Sequence, residues 1–283
     1  VKCKMLPVQN LKHYKENIKG IDIHYEYHKN DVTSDRPVLT LLHGFLSSTF
    51  SYRRLIPLLS KHYTVVAIDL PPFGRTEKSS TFVHSYQNFA EVVIELLERL
   101  SIDETVMIGH SMGGQVALRA SGLNGDLVKK NILLCSSGYL EKAKQSLVYS
   151  SYLPFFSMYL KRWLSRKGAK GNLINCVYDP ELIDEEMVDG YIQPFFNEGI
   201  FRSLVRMIRD REGDLSEEEL RTIETPSLLI WGEHDKVVPL QIGKRLAKDL
   251  PNSELIVYEK TGHLLPEEQP HSILRDIQTF IQR

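Results

Sequence analysis

Cysteine is scarce in this chain: its 283 residues hold only Cys3, Cys135 and Cys176. An odd number, set far apart and in no metal-ligand spacing, argues against a disulfide-stapled scaffold and fits reduced, structural thiols inside a cell, so the expected localisation is cytoplasmic. Long apolar runs are also missing. Val1 to Asn10 carries two lysines and no stretch of signal-peptide length, and nothing further along requires a membrane span. Charge of one sign is missing too, because 35 basic residues meet 36 acidic ones for a net charge of −1. No global field gathers nucleic acid or anionic lipid, so neither nucleic-acid binding nor stable membrane association is expected, and substrate recognition must be local. There is no P-loop, dinucleotide fingerprint, H-E-x-x-H or cysteine cluster, so no cofactor and no metal is called for. Internal repeats and low-complexity linkers are absent as well.

What is present is a chain long enough to bury a sizeable core. Short apolar runs recur at Val38 to Leu42, Val65 to Leu70, Val106 to Ile108, Ile132 to Cys135, Leu228 to Trp231 and Leu255 to Tyr258. Most lack polar alternation, as strands buried on both faces should. Between them Phe89, Val92, Val93, Leu96, Leu97 and Leu100 recur at spacings of three and four, one apolar face of a helix. The alternation predicts an α/β fold, a mostly parallel sheet covered by helices on both faces. It fails between about Tyr139 and Thr222, where helical patterns follow one another, and resumes at Thr225-Pro226 to end in a helix carrying Ile273, Ile277, Phe280 and Ile281. The expected organisation is a core of residues 1–138 and 223–283 interrupted by a helical cap, 139–222.

Gly109-His110-Ser111-Met112-Gly113 follows one apolar run and precedes a helical pattern, the strand, turn and helix context of a G-x-S-x-G nucleophile elbow. A serine hydroxyl is a weak nucleophile and needs a base. Of the ten histidines, His263 alone combines a strand-end loop with a position after both Ser111 and a plausible acid. That acid is Asp235, beyond the run Leu228 to Trp231, which would fix the imidazole tautomer; Glu233 is the runner-up and His234 a loop neighbour. The backbone N–H groups of Phe45 and Met112 are the expected oxyanion donors, with Gly44 letting the chain bend toward substrate. His43 and His110 are expected to orient their turns rather than react. The aromatic stretch Tyr152 to Leu160, with Lys161-Arg162-Trp163, is read as the cap's own core and its wall against the site; the alternative is an exposed apolar surface. With Tyr139, Phe195 and Phe196, it would favour an ester with an apolar or aromatic acyl group if these residues face the pocket. The basic run Lys161, Arg162, Arg166, Lys167 and Lys170 is read as a solvated helix face.

His43-Gly44-Phe45, Asp69-Leu70-Pro71-Pro72-Phe73-Gly74, Gly109 to Gly114, Gly232-Glu233-His234-Asp235 and Gly262-His263, in that order, resemble the α/β-hydrolase superfamily over nearly the whole chain. Within it the chain is similar to the YugF-like carboxylesterases of bacilli, a likeness that extends to Ile183-Asp184-Glu185-Glu186-Met187. The resemblance implies the α/β-hydrolase fold, a Ser111–Asp235–His263 triad, Phe45 and Met112 at the oxyanion hole, and hydrolysis of small carboxylic esters. It departs at Pro72, where many relatives carry glycine, which bears on the flexibility of that loop. Serine at the elbow speaks against haloalkane dehalogenases and epoxide hydrolases, which need a carboxylate there. Carbon–carbon bond hydrolases of aromatic ring-fission products and cofactor-free haloperoxidases keep the serine and remain enzymatic alternatives. A ligand receptor or signalling protein on the same fold is the non-enzymatic one.

Overall fold

The computed structural model describes residues 12–30, 36–165 and 168–283, so Cys3, the N-terminal lysines, Arg166 and Lys167 lie outside the described residues. Eight strands form one sheet: β1 (Lys12–Ile18), β2 (Ile21–His28), β3 (Val38–Leu42), β4 (Val65–Ile68), β5 (Thr105–His110), β6 (Val128–Leu134), β7 (Ser227–Gly232) and β8 (Ser253–Tyr258). Their order is β1-β2-β4-β3-β5-β6-β7-β8. The pairs from β4 onward are parallel, with Leu41 beside Ile108, Ile108 beside Ile132 and Ile132 beside Leu228. Every residue of β4, β5 and β7 is buried. Since successive side chains point to opposite faces, both faces of the sheet are covered.

The covering comes from α1 (Ile56–Leu59), α2 (Tyr86–Arg99), α3 (Met112–Leu123), α10 (Leu240–Asp249), α11 (Leu265–Glu268) and α12 (Pro270–Ile281). Helix α2 starts where Ser85 Oγ accepts the Asn88 N–H, a side-chain cap, and buries the stripe Phe89, Val92, Val93, Leu96 and Leu97. Helix α12 buries Ile273, Ile277 and Phe280. The hairpin β1–β2 carries no apolar run in its first strand and is missing from the sequence reading. It pairs antiparallel through Lys19-Gly20, both at positive φ, the two-residue turn that suits strand twist.

Between Leu134 and Ser227 the described residues form helices and no strand: α4 (Gln145–Ser150), α5 (Phe156–Ser165), α6 (Gly168–Ile174), α7 (Glu185–Ile192), α8 (Gly199–Asp210) and α9 (Glu217–Leu220). Glu217 to Glu219 form an exposed helix start closed by a Ser216–Glu219 capping box. The expectation for the aromatic stretch is corrected here. Tyr152, Leu153, Phe155, Met158, Tyr159 and Trp163 are exposed, Phe155 at 75% and Trp163 at 55%, so they are not the core of this insertion. Its apolar interior comes instead from Leu173, Val177, Met187 and α8, whose Ile200, Phe201, Leu204 and Met207 join the main core. Periodicity identifies helices but not which of two apolar faces turns inward.

Candidate active site

The C-terminal ends of β3, β5, β6, β7 and β8 carry His43 to Phe45, Ser111, Cys135, Asp235 and His263 in turn, on the edge of the parallel sheet where α/β folds bind ligands. Ser111 sits between the last residue of β5 and the first of α3 with φ 52° and ψ −118°. That left-handed conformation is costly for a residue with a Cβ and persists only when its surroundings enforce it. Here Ser111 N–H donates to Leu134 O at 3.0 Å, and Ser111 O accepts from Ser137 N at 3.0 Å and Gly114 N at 2.9 Å. The turn is tight enough that a Cβ on Gly109 would stand 2.4 Å from Gly113 O, and one on Gly113 2.1 Å from Leu42 O. The elbow therefore demands glycine at both flanks.

His263 Nδ1 lies 2.7 Å from Asp235 Oδ2, with both side chains buried. The other carboxylate oxygen, Oδ1, accepts the backbone N–H groups of Val237 at 2.7 Å and Val238 at 2.8 Å. Burial pushes the Asp235 carboxyl up, but the hydrogen bond and charge of His263 outweigh it and hold the group below its ordinary value. The pairing orients the ring with Nδ1 toward Asp235 and leaves Nε2 unengaged by that carboxylate. The two loops are also tied through their backbones, His234 N–H to Thr261 O at 2.9 Å and Glu233 N–H to Tyr258 O at 3.0 Å. Glu233 itself points to solvent beside His234, 3.5 Å away, and does not reach His263.

Ser111 Oγ makes no hydrogen bond among the described residues, and His263 bonds only Asp235 through its ring. What links the Ser111 turn to the His263 loop is His110, whose Nε2–H donates to His263 O at 2.8 Å with the two rings 4.7 Å apart. Burial, helped by the neighbouring His263, pushes His110 down to about 3, so it is a neutral strut. His43 plays a comparable part: its Nδ1–H donates to Gly44 O at 2.8 Å and its Nε2 accepts Leu70 N–H at 2.9 Å. The backbone N–H groups of Phe45 and Met112 have no acceptor among the described residues. The Phe45 ring is half exposed and meets Phe73 edge-on.

The loop after β4 is pinned rather than loose. Asp69 accepts Thr49 N–H and Arg75 N–H at 2.7 Å each and pairs with His24 at 2.7 Å, and Pro72 is buried. The Tyr139 hydroxyl donates to Asp249 at 2.6 Å with its ring under Arg245, and Phe196 is exposed at 77%.

Two neighbours of the pair escape a sequence reading. Cys135 Sγ accepts Gly232 N–H at 3.5 Å and lies within 4.8 Å of ligand atoms of both Asp235 and His263, with burial pushing its thiol well up. These three residues are the metal-capable cluster among the described residues, but Asp235 and His263 are already engaged with each other. Glu268 accepts Gly262 N–H at 3.0 Å and, across to the insertion, Tyr178 N–H at 2.8 Å. Only its spacing of five from His263 would have flagged it.

A family described by the α/β-hydrolase fold matches residues 37–270. The chain belongs to the α/β-hydrolase family. It is 50% identical to the uncharacterized hydrolase YugF of Bacillus subtilis over 265 residues, which is 94% of this chain and 96% of that one. It is 25% identical to a Haemophilus influenzae protein provisionally named an esterase/lipase, across 96% of this chain and 92% of that one. It is also 25% identical to the 2-hydroxy-6-oxo-2,4-heptadienoate hydrolase of Pseudomonas putida, across 90% and 92%. The α/β-hydrolase match spans the elbow, Asp235 and His263, all within residues 37–270.

Proposed function

We propose that this α/β-hydrolase is a serine esterase that cleaves small carboxylic esters through an acyl-enzyme, with Ser111 as nucleophile, His263 as base and Asp235 as the acid that orients it. The observation that carries this reading is the 2.7 Å His263–Asp235 bond on the same sheet edge as a serine held in strained, left-handed backbone. Ser111 Oγ bonds to the ester carbonyl carbon as its proton passes to His263 Nε2. The oxyanion that forms accepts hydrogen bonds from the N–H groups of Phe45 and Met112, which have no other acceptor among the described residues. The intermediate collapses, the C–O bond to the alcohol breaks, and the alcohol leaves with the proton from His263. Water then gives its proton to His263, attacks the acyl carbon, and the acid leaves as Ser111 recovers its proton. On this reading the Ser111–His263 hydrogen bond forms as substrate seats, as such bonds often do.

The half-exposed Phe45 ring supports an apolar or aromatic acyl group. Residues 139–222 act as a cap over the 1–138 and 223–283 core, and the unpaired Cys135 and Cys176 suit a reducing cytoplasm. The test compares wild type with Ser111→Ala on p-nitrophenyl esters of increasing acyl length, with ring-fission dienoates and peroxidation assays alongside. Ester turnover abolished in Ser111→Ala supports the reading. Turnover of ring-fission products alone would assign carbon–carbon bond hydrolysis instead, and slow single labelling without turnover a receptor.

A further inference from the structure

The near-neutral charge of the whole chain conceals a strong local imbalance. From Lys142 to Tyr178 there are seven lysines and arginines and no aspartate or glutamate, which leaves the rest of the chain at −8. Five of the seven, Lys142, Lys144, Lys161, Arg162 and Lys170, are exposed among the described residues. The same segment displays the exposed Tyr149, Tyr152, Leu153, Phe155, Met158, Tyr159 and Trp163. Scattered exposed apolar residues are ordinary, but this many in one short stretch is not.

The exposure has a geometric cause. On α5, Leu160 and Leu164 turn inward and pack against the core. With about 100° between successive residues, Met158, Tyr159, Arg162 and Trp163 then fall together on the opposite side. The helix is apolar on both faces, and among the described residues only one of them is covered. Beside it a hollow of about 280 Å³ is lined by Tyr152, Leu153, Phe155, Arg202, Arg206 and Arg209. Arg209 lies 3.8 Å over the Tyr152 ring, Arg206 pairs with Asp210, and Arg202 lies close enough to Glu198 to interact with its charge. Glu198 from outside the segment pairs with Lys161, and the aromatic rings and aliphatic side chains among Lys142, Lys144, Arg162 and Lys170 match the two layers of an anionic membrane surface, charged headgroups outside and acyl chains within.

We propose that the α4–α6 face of the insertion docks reversibly on an anionic lipid surface. The cations meet headgroup phosphates while Phe155, Tyr159 and Trp163 enter the interface to shallow depth. This reverses the expectation from net charge, which averages the basic segment against an acidic remainder. It is independent of the esterase reading, since no residue of the face belongs to the Ser111 site.

Trp163 supplies the readout. The chain has two tryptophans, and the other, Trp231, is fully buried, so an emission shift on vesicle addition reports Trp163. Vesicles of phosphatidylcholine with and without phosphatidylglycerol are mixed with wild type, with Arg162→Glu/Lys170→Glu and with Trp163→Phe, at low and high salt, and binding is scored by co-sedimentation and emission. The expected result is a blue shift and co-sedimentation with anionic vesicles only, both lost in high salt. The double charge reversal should weaken partitioning on the order of tenfold or more, with its turnover of a soluble short-chain ester unchanged, and Trp163→Phe should still sediment without the shift. Folded wild type that ignores anionic vesicles at low salt, or binds neutral ones equally, overturns the proposal. So does a concentration-dependent dimer or binding to a single-stranded oligonucleotide in place of vesicle binding. Scoring Ser111→Ala alongside separates this outcome from any failure of the esterase reading.

Discussion

The two tryptophans sit in regions built on opposite principles. Trp231, in β7, is fully enclosed; its indole N–H donates to Val238 O at 2.9 Å, and it packs so closely that a Cβ on Gly243 would come within 2.6 Å of its ring. Trp163, on α5, lies mostly in solvent beside Met158, Tyr159 and Arg162. Both segments are apolar in sequence, yet every residue of β7 is buried, while α5 packs on the core through Leu160 and Leu164 and leaves Met158, Tyr159 and Trp163 exposed. Rigidity follows from the first arrangement and adaptability from the second: the sheet edge can hold a strained serine, and the helical surface is free to meet something else.

The contrast breaks most sharply at Ser111. Ser111→Ala is expected to lower kcat on esters by about 10⁴-fold or more with the fold kept, whereas Phe155→Ser on the insertion should leave turnover of a soluble ester within about twofold; steady-state kinetics with circular dichroism checks both. Asp235→Asn should cost about 10³ to 10⁴ in kcat, because the amide presents a donor where His263 Nδ1–H needs an acceptor. Rescue of that variant by Asp235→Glu to near wild-type rates would not be expected, given that Oδ1 is already fixed by the Val237 and Val238 N–H groups. In stability, Trp231→Ala should lose about 3 to 5 kcal/mol and Trp163→Ala no more than about 0.5 kcal/mol, measured by denaturant unfolding. Equal losses at the two sites would erase the distinction between the regions.

A pH-dependent effect lies where the insertion returns to the core. Burial pushes the Asp214 carboxyl up to about 6, partly offset by the Leu140 N–H it accepts at 3.0 Å. A carboxyl raised in the folded state costs nothing below its unfolded value of about 3.9, and its cost grows with rising pH until it is complete above about 6. Asp214→Asn removes that cost, so its Tm relative to wild type is expected to climb between about pH 4 and pH 7. A constant offset across that range would show that the carboxyl is not the source.

Much of the sheet was legible because strands buried on both faces read as short continuous apolar runs; β3, β7 and β8 fall where Val38 to Leu42, Leu228 to Trp231 and Leu255 to Tyr258 pointed. The closeness of Asp235 and His263 was legible too, through loops that follow consecutive parallel strands. Strand β1 was not, because Lys12 to Ile18 is mostly charged and polar and pairs through its backbone. The aromatics of α5 were misread because composition does not say which face finds a partner. Cys135 and Glu268 act by proximity across the fold, and nothing local distinguishes them from any buried thiol or helix-end acid.

Glu268 receives one N–H from the turn that carries His263 and another from Tyr178, while His263 N–H itself donates to Cys176 O at 2.7 Å. The stretch Cys176 to Tyr178 is therefore masonry beneath the imidazole rather than a door above it. Any movement that admits a bulky molecule has to pivot elsewhere in the insertion, since lifting this course of the wall would drop the ring out of register with its carboxylate.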